Sequence, residues 1–268
     1  MLRRSFLLSL LLPLLFTGAC SNNKGNTLTI GMEMEFPPFE MKDSNGTPTG
    51  VSVELAYALG KKLGRPVELE NIKWNGLIPS LQSHKIDIIL SSLSASEERK
   101  KSIAFSDPYI KTGLAMLVGK NSPIKTGEDV FKPGMRVAVR EATTSQSYAK
   151  EFLKSANVTE LGEESACVQE VIQGKVDAFV YDQIAIFKHN QQNPETTHAI
   201  LKPLRTEYWA IGLRKEDDAL RAQINKALAE LKAEGLYERL AEKYLKEANA
   251  AFKAAGVPFL FQTEEAAK

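Results

Sequence analysis

From Leu28 onward the chain alternates short, apolar, β-rich runs with amphipathic stretches, and that alternation is the signature of βαβ units feeding a parallel sheet. Leu28 to Met32 reads as a strand, after which Leu55, Leu59 and Leu63 recur at helical spacing. Val67 to Glu70 and Ile86 to Leu90 read as further strands, with a helix around Leu77 to Gln82 between them. A second set begins at Met135, with strand Arg136 to Val139, helix Ser145 to Lys154, a strand near Val158, helix Ala166 to Gln173 and strand Val176 to Tyr181. Tyr208 to Arg214 looks like a strand. Leu220, Ile224, Leu228 and Leu231 then line one helix face, and Gly235 interrupts the pattern before Leu236, Leu240 and Tyr244 resume it. The expected class is α/β.

The two sets echo each other. Leu81 to Leu90 and Val171 to Val180 each carry a helix end, a short turn with a lysine (Lys85, Lys175), an aspartate (Asp87, Asp177) and a buried strand. Two similar lobes would produce this echo, and so would any generic αβ turn.

The first residues do not belong to that pattern. Arg3 and Arg4 precede an apolar run from Phe6 to Phe16, too short to span a bilayer as a mature helix and laid out as a secretory signal. The run ends in Thr17-Gly18-Ala19-Cys20, which resembles a bacterial lipobox, although Thr17 stands where leucine is usual. Residues 1–19 are therefore expected to be a lipoprotein-type signal peptide, Cys20 the lipidated residue and residues 20–27 a polar tether, placing the mature protein in the periplasm or on the cell surface.

Composition removes several functions. The 268 residues are 43% hydrophobic and 25% charged, an ordinary globular balance. Lys plus Arg number 34 against 33 acids, and removing Arg3 and Arg4 leaves 32 against 33, so no basic excess invites nucleic acid. Three histidines lie far apart and two cysteines cannot build a zinc site alone, so neither a metal nor another cofactor is expected. With Cys20 lipidated, Cys167 has no disulfide partner and fits a buried apolar position.

Candidate chemistry collects where strands end, the place where open α/β sheets bind ligands. Ser91, Ser92 and Ser94 follow the strand Ile86 to Leu90, and Ser94-Ala95-Ser96-Glu97 has capping-box spacing for a helix carrying Arg99. Hydroxyls, helix N–H groups and a guanidinium there make a carboxylate receptor. Thr143 and Thr144 occupy the same kind of place in the second set, and Asp182 directly follows Val176 to Tyr181, where it could hold an ammonium. An anion seat on one lobe and an acid on the other suit a zwitterion.

These residues carry a resemblance. Glu35-Phe36-Pro37-Pro38-Phe39-Glu40, Gly46 with Gly50 and Val51, Leu77-Ile78-Pro79-Ser80-Leu81, Ser91-Ser92-Leu93-Ser94 with Glu98-Arg99-Lys100, and Phe105-Ser106-Asp107-Pro108-Tyr109 look like the bacterial solute-binding protein family 3. Gly134 to Val139, Gly174 to Ala178 and Ile211 to Lys215 match as well, so the resemblance covers Leu28 to Lys246. It implies a two-lobed periplasmic binding protein fold of type II, with two α/β lobes joined by two hinge strands near Tyr109 to Gly113 and Pro203 to Tyr208 and a ligand cleft between them. Residues 28–110 and 207–247 would form lobe one, residues 111–206 lobe two, and residues 248–268 an extension of underived role.

The resemblance further implies a monomeric, non-enzymatic receptor that captures a polar L-amino acid and delivers it to an ABC permease. The ligand carboxylate would go to Arg99, Ser94 and Thr143 or Thr144, and the ammonium to Asp182 with help from the backbone around Ser92. Side-chain selection would fall to Glu33, Phe36, Trp74 and Arg140. Glu33, Trp74 and Phe36 suit a cationic side chain. Arg140 opposes that if it faces the cleft, favouring glutamine or glutamate, whereas pairing with Glu33 would neutralise both; arginine, lysine or histidine stay ahead. The alternatives are an enzyme similar to cyclohexadienyl dehydratases, with Glu33 as the acid to test, and an amino-acid sensor without transport.

Overall fold

A computed structural model describes residues 26–258 and Phe261; the expected signal peptide, Cys20 and most of the tether lie outside the described residues. The first sheet is built on β1 (Leu28–Met32), which pairs in parallel with β4 (Val67–Asn71) and β5 (Ile88–Ile89). A small ribbon of β2 (Met41–Lys42) and β3 (Pro48–Thr49) precedes α1 (Val51–Leu63), and α2 (Leu77–Gln82) leads into β5. Strand β1 reads Leu-Thr-Ile-Gly-Met and is buried on both faces except at Thr29, as a strand flanked by crossovers must be. The short α3 (Glu97–Lys100) and β6 (Ala104–Phe105) complete this part of the chain.

The chain then enters β7 (Ile110–Gly119), the second strand of the other sheet. That sheet runs β11–β7–β10–β8–β9, from β8 (Arg136–Arg140), β9 (Asn157–Leu161), β10 (Ala178–Asp182) and β11 (Thr197–Trp209). Helices α4 (Thr144–Phe152), α5 (Glu164–Ile172) and α6 (Gln183–Gln192) connect its strands. Strand β11 returns along β7, and β12 (Gly212–Leu213) rejoins the first sheet between β5 and β6, giving the order β4–β1–β5–β12–β6. Two α/β lobes are thus joined by two chain crossings.

The crossings lie side by side. Ile110 to Leu114 pairs antiparallel with Trp209 to Arg205, and the register breaks between Ile200 and Arg205. The strands approach so closely that a Cβ on Gly113 would lie 2.6 Å from Pro203 Cβ and 2.7 Å from the Arg205 carbonyl oxygen, so this position requires glycine. The strand read from Tyr208 to Arg214 is in fact two, interrupted at Ala210 and Ile211 where the chain changes sheets.

The echo has a structural counterpart. The Asp87 carboxylate accepts from the Thr29 N–H at 3.0 Å and pairs with Arg65, while the Asp177 carboxylate accepts from the Arg136 N–H at 2.9 Å and pairs with the Arg136 guanidinium. In each lobe the aspartate before a buried strand ties down the start of its neighbour. Cys167 is fully buried on α5, and burial pushes its thiol up to about 12.

Helices α7 (Asp218–Ala233), α8 (Leu236–Tyr244) and α9 (Lys246–Ala254) close the first lobe. Gly235, at φ 71°, supplies the left-handed turn between α7 and α8. Phe252 on α9 is fully buried and meets Phe187 of α6 edge-on, ring centroids 6.0 Å apart. Gln191 Nε2 donates to Glu247 Oε2 at 3.3 Å beside it, so the terminal helix touches the second lobe.

Candidate functional site

One cavity of about 40 Å³ lies between the lobes at the carboxyl ends of β1, β5, β8 and β10. Every residue that the sequence offers for ligand binding lines it: Glu33, Phe36, Trp74, Ser91, Ser92, Ser94 and Arg99 from the first lobe, and Arg140, Thr143, Thr144 and Asp182 from the second. Glu40, Leu114, Tyr181, Glu207 and Trp209 line it too, and local sequence reasoning did not reach them. Among the described residues no group of three or more His, Cys, Asp and Glu side chains is gathered as a metal site.

Arg99 lines the cavity from the first lobe. Its guanidinium donates to the Ser94 carbonyl at 2.9 Å and, across the cleft, to the Ala142 carbonyl at 3.1 Å. Burial pulls its pKa down to about 10, against the opposing pull of Glu207. The Ala142 carbonyl also accepts from Trp74 Nε1 at 2.9 Å. Ala142 turns it there by adopting φ 56°, a left-handed conformation that glycine holds without strain.

The capping box read at Ser94 is placed differently. Ser96 caps α3, accepting weakly from the Arg99 N–H at 3.3 Å, and Ser94 is released for another task. Its hydroxyl donates to Glu207 Oε2 at 2.7 Å, and the Thr144 hydroxyl donates to the same oxygen at 2.7 Å from the other lobe. Glu207 Oε1 meanwhile accepts from Arg205 at 2.6 Å. A carboxylate on the crossing strand β11 thereby gathers hydroxyls from both lobes. Thr143 donates to the Arg140 carbonyl at 2.7 Å, and the Ser91 hydroxyl accepts from the Glu33 N–H at 2.9 Å.

Asp182 is both the last residue of β10 and the N-cap of α6, its Oδ1 accepting from the Ile184 N–H at 2.8 Å and its Oδ2 from the Thr112 hydroxyl at 2.6 Å. Burial lifts its pKa to about 7, although both of those donors favour the carboxylate. Glu40 lies deeper, 1% exposed, and burial lifts it to about 8.

At the far end Arg140 reaches across the cleft to Glu33, one guanidinium nitrogen astride both carboxylate oxygens at 2.8 Å. Both side chains are buried. Arg140 therefore both faces the cleft and pairs with Glu33. Burial lowers the Arg140 pKa, but Tyr181 and Glu33 more than offset that and leave it above the ordinary arginine value. The Trp74 ring lies 5.2 Å from the Arg99 guanidinium and 5.8 Å from that of Arg140. Beneath the pocket Phe36, Phe39, Tyr181 and Trp209 form an aromatic floor, with Phe39 and Trp209 edge-on at 4.9 Å.

Comparison with known proteins agrees with this geometry. A profile of the bacterial extracellular solute-binding proteins, family 3, matches residues 28–247. The chain is similar to the histidine-binding periplasmic protein of Escherichia coli (strain K12), 32% identical over 255 residues covering 90% of this chain and 96% of that one. The L-cystine-binding protein TcyJ of the same organism is 30% identical over 220 residues, covering 81% and 82%. Among solved structures, an ancestral arginine-binding protein bound to glutamine superposes with a TM-score of 0.75 at 38% identity, covering 82% of this chain and 98% of that one. The ancestral amino acid-binding protein AncCDT-1, a precursor of cyclohexadienyl dehydratase, does so at 0.73 and 38% identity, covering 82% and 96%. The chain belongs to the bacterial extracellular solute-binding proteins, family 3.

Proposed function

We propose that this protein is the extracytoplasmic receptor of an ABC importer, capturing a polar L-amino acid by lobe closure and delivering it to a membrane permease. One observation carries the reading: a buried acid, Asp182, and a guanidinium, Arg99, line one interlobe cavity from opposite lobes. They can hold the ammonium and carboxylate of a zwitterion, and a cavity of about 40 Å³ admits an amino acid only when the lobes part. Relatives that bind histidine and arginine put cationic side chains first, with glutamine or glutamate next. Cys20 would carry the lipid that holds the receptor at the membrane. The receptor is not an enzyme on this reading: prephenate has no amine, and an elimination gains nothing from Asp182.

Thermal unfolding of the refolded chain against each common L-amino acid and prephenate tests the proposal. A ligand at about 1,000 times its dissociation constant adds about 4 kcal/mol, which at roughly 2 to 4 °C per kcal/mol raises Tm plainly. Stabilisation by at least one polar amino acid supports the receptor. No shift with any amino acid, or a shift with prephenate alone, overturns it.

A further inference from the structure

We infer that Arg140 is the specificity-determining residue of the cavity, acting as an internal cation that weakens the binding of cationic side chains relative to amide ones. The inference rests on the amino-acid-binding reading and deepens it. Glu33 is the acid that a ligand cation would seek, yet Glu33 Oε1 already accepts from the Trp74 N–H at 3.1 Å and from Arg140 Nη2 at 2.8 Å, and Oε2 from the same nitrogen at 2.8 Å. Arg140 is not a loose surface side chain swung in by chance. Its Nε donates to the Gly162 carbonyl at 3.2 Å and its Nη1 to the Tyr181 hydroxyl at 3.2 Å, so groups of its own lobe fix the guanidinium before it meets Glu33.

A second cation brought to Glu33 would have to expel a buried, anchored guanidinium or lie beside it. The first course breaks a buried ion pair and the second sets like charges together away from water, and specificity is often built from such a repulsive element. The Trp74 ring, the natural surface for a cationic side chain, already has the Arg99 and Arg140 guanidinia nearby. All three Arg140 nitrogens are engaged in these bonds, and Nη1, which meets the Tyr181 hydroxyl with one N–H, carries a second for an acceptor such as a side-chain amide oxygen. One position on the second lobe therefore discriminates between two classes of ligand without touching the zwitterion's poles.

The test is calorimetric titration of arginine, lysine and glutamine into the refolded wild-type chain, Arg140→Leu and Glu33→Gln, with circular dichroism confirming the fold of each. In Arg140→Leu the ratio of the arginine to the glutamine dissociation constant should fall by about tenfold or more, because Glu33 is released to the ligand. Glu33→Gln, which frees Arg140 rather than the acid, should move the ratio the other way and is informative even where Arg140→Leu does not fold. A ratio unmoved in the variants that fold, or moved toward glutamine in Arg140→Leu, overturns the inference while leaving the receptor intact. Failure of all three amino acids to bind the wild type overturns the inference, and failure of every common L-amino acid overturns the receptor as well.

Discussion

Replacing Asp182 by asparagine should make the ligand-free fold more stable while destroying its capacity for amino acids. Burial lifts the Asp182 carboxyl from 3.8 to about 7, and unfolding returns it to water and its ordinary value. At and below about pH 4 the folded protein holds a neutral acid at no cost. As pH rises from about 4 to 7 the unfolded chain gives up a proton that the folded chain retains, so the stability contribution falls across that window and is lowest above it. Roughly three pH units at about 1.4 kcal/mol each place the cost near 4 kcal/mol at pH 8. Asparagine keeps the shape: its amide oxygen can still accept from the Ile184 N–H, and the Thr112 hydroxyl can turn to accept from the amide nitrogen. Urea unfolding of ligand-free wild type and Asp182→Asn at pH 4, 6 and 8 should therefore show a difference that is small at pH 4 and grows to about 4 kcal/mol at pH 8. Glu40 lies in the same fold in both proteins, so its own raised pKa cancels in the difference. For the wild type, amino-acid affinity should fall about tenfold per pH unit below 7, as the ammonium must displace a proton. Equal stability at pH 8, or a difference that ignores pH, would refute the reasoning.

Arg99→Ala should cost at least about 2 to 5 kcal/mol of amino-acid binding, measured by calorimetry, because a ligand carboxylate would be left in the cleft without its guanidinium. Ala142→Gly should raise the free energy of unfolding by up to about 1 kcal/mol through relief of the left-handed backbone, as read from urea midpoints. Phe252→Ala should lower stability by about 3 to 5 kcal/mol, the ordinary cost of deleting a fully buried ring, in the same assay.

The strands and helices were legible because their signals are local: apolar runs bounded by turns, and leucines at helical spacing. The strand ends were legible for a related reason, since a polar residue after a buried strand has few reasons to be there other than a cap or a ligand. Glu207 gave no such signal. In Arg205-Thr206-Glu207-Tyr208 it alternates as an exposed strand residue would, and only the pairing of β11 with β7 brings it under Ser94 and Thr144, 113 and 63 positions away. Ser94 was misread for the same cause, its hydroxyl being claimed by that distant acid instead of by α3. Tyr181 and Trp209 are core aromatics that also line the cavity, and that second role depends on the facing lobe.

The family profile ends at residue 247, five residues before Phe252 fills the space beside Phe187. The unit that the profile matches and the unit that packs together therefore have different edges. A chain trimmed to the boundary of the profile would lose the ring buried against Phe187 of α6, and would be judged unstable for a defect introduced by the cut.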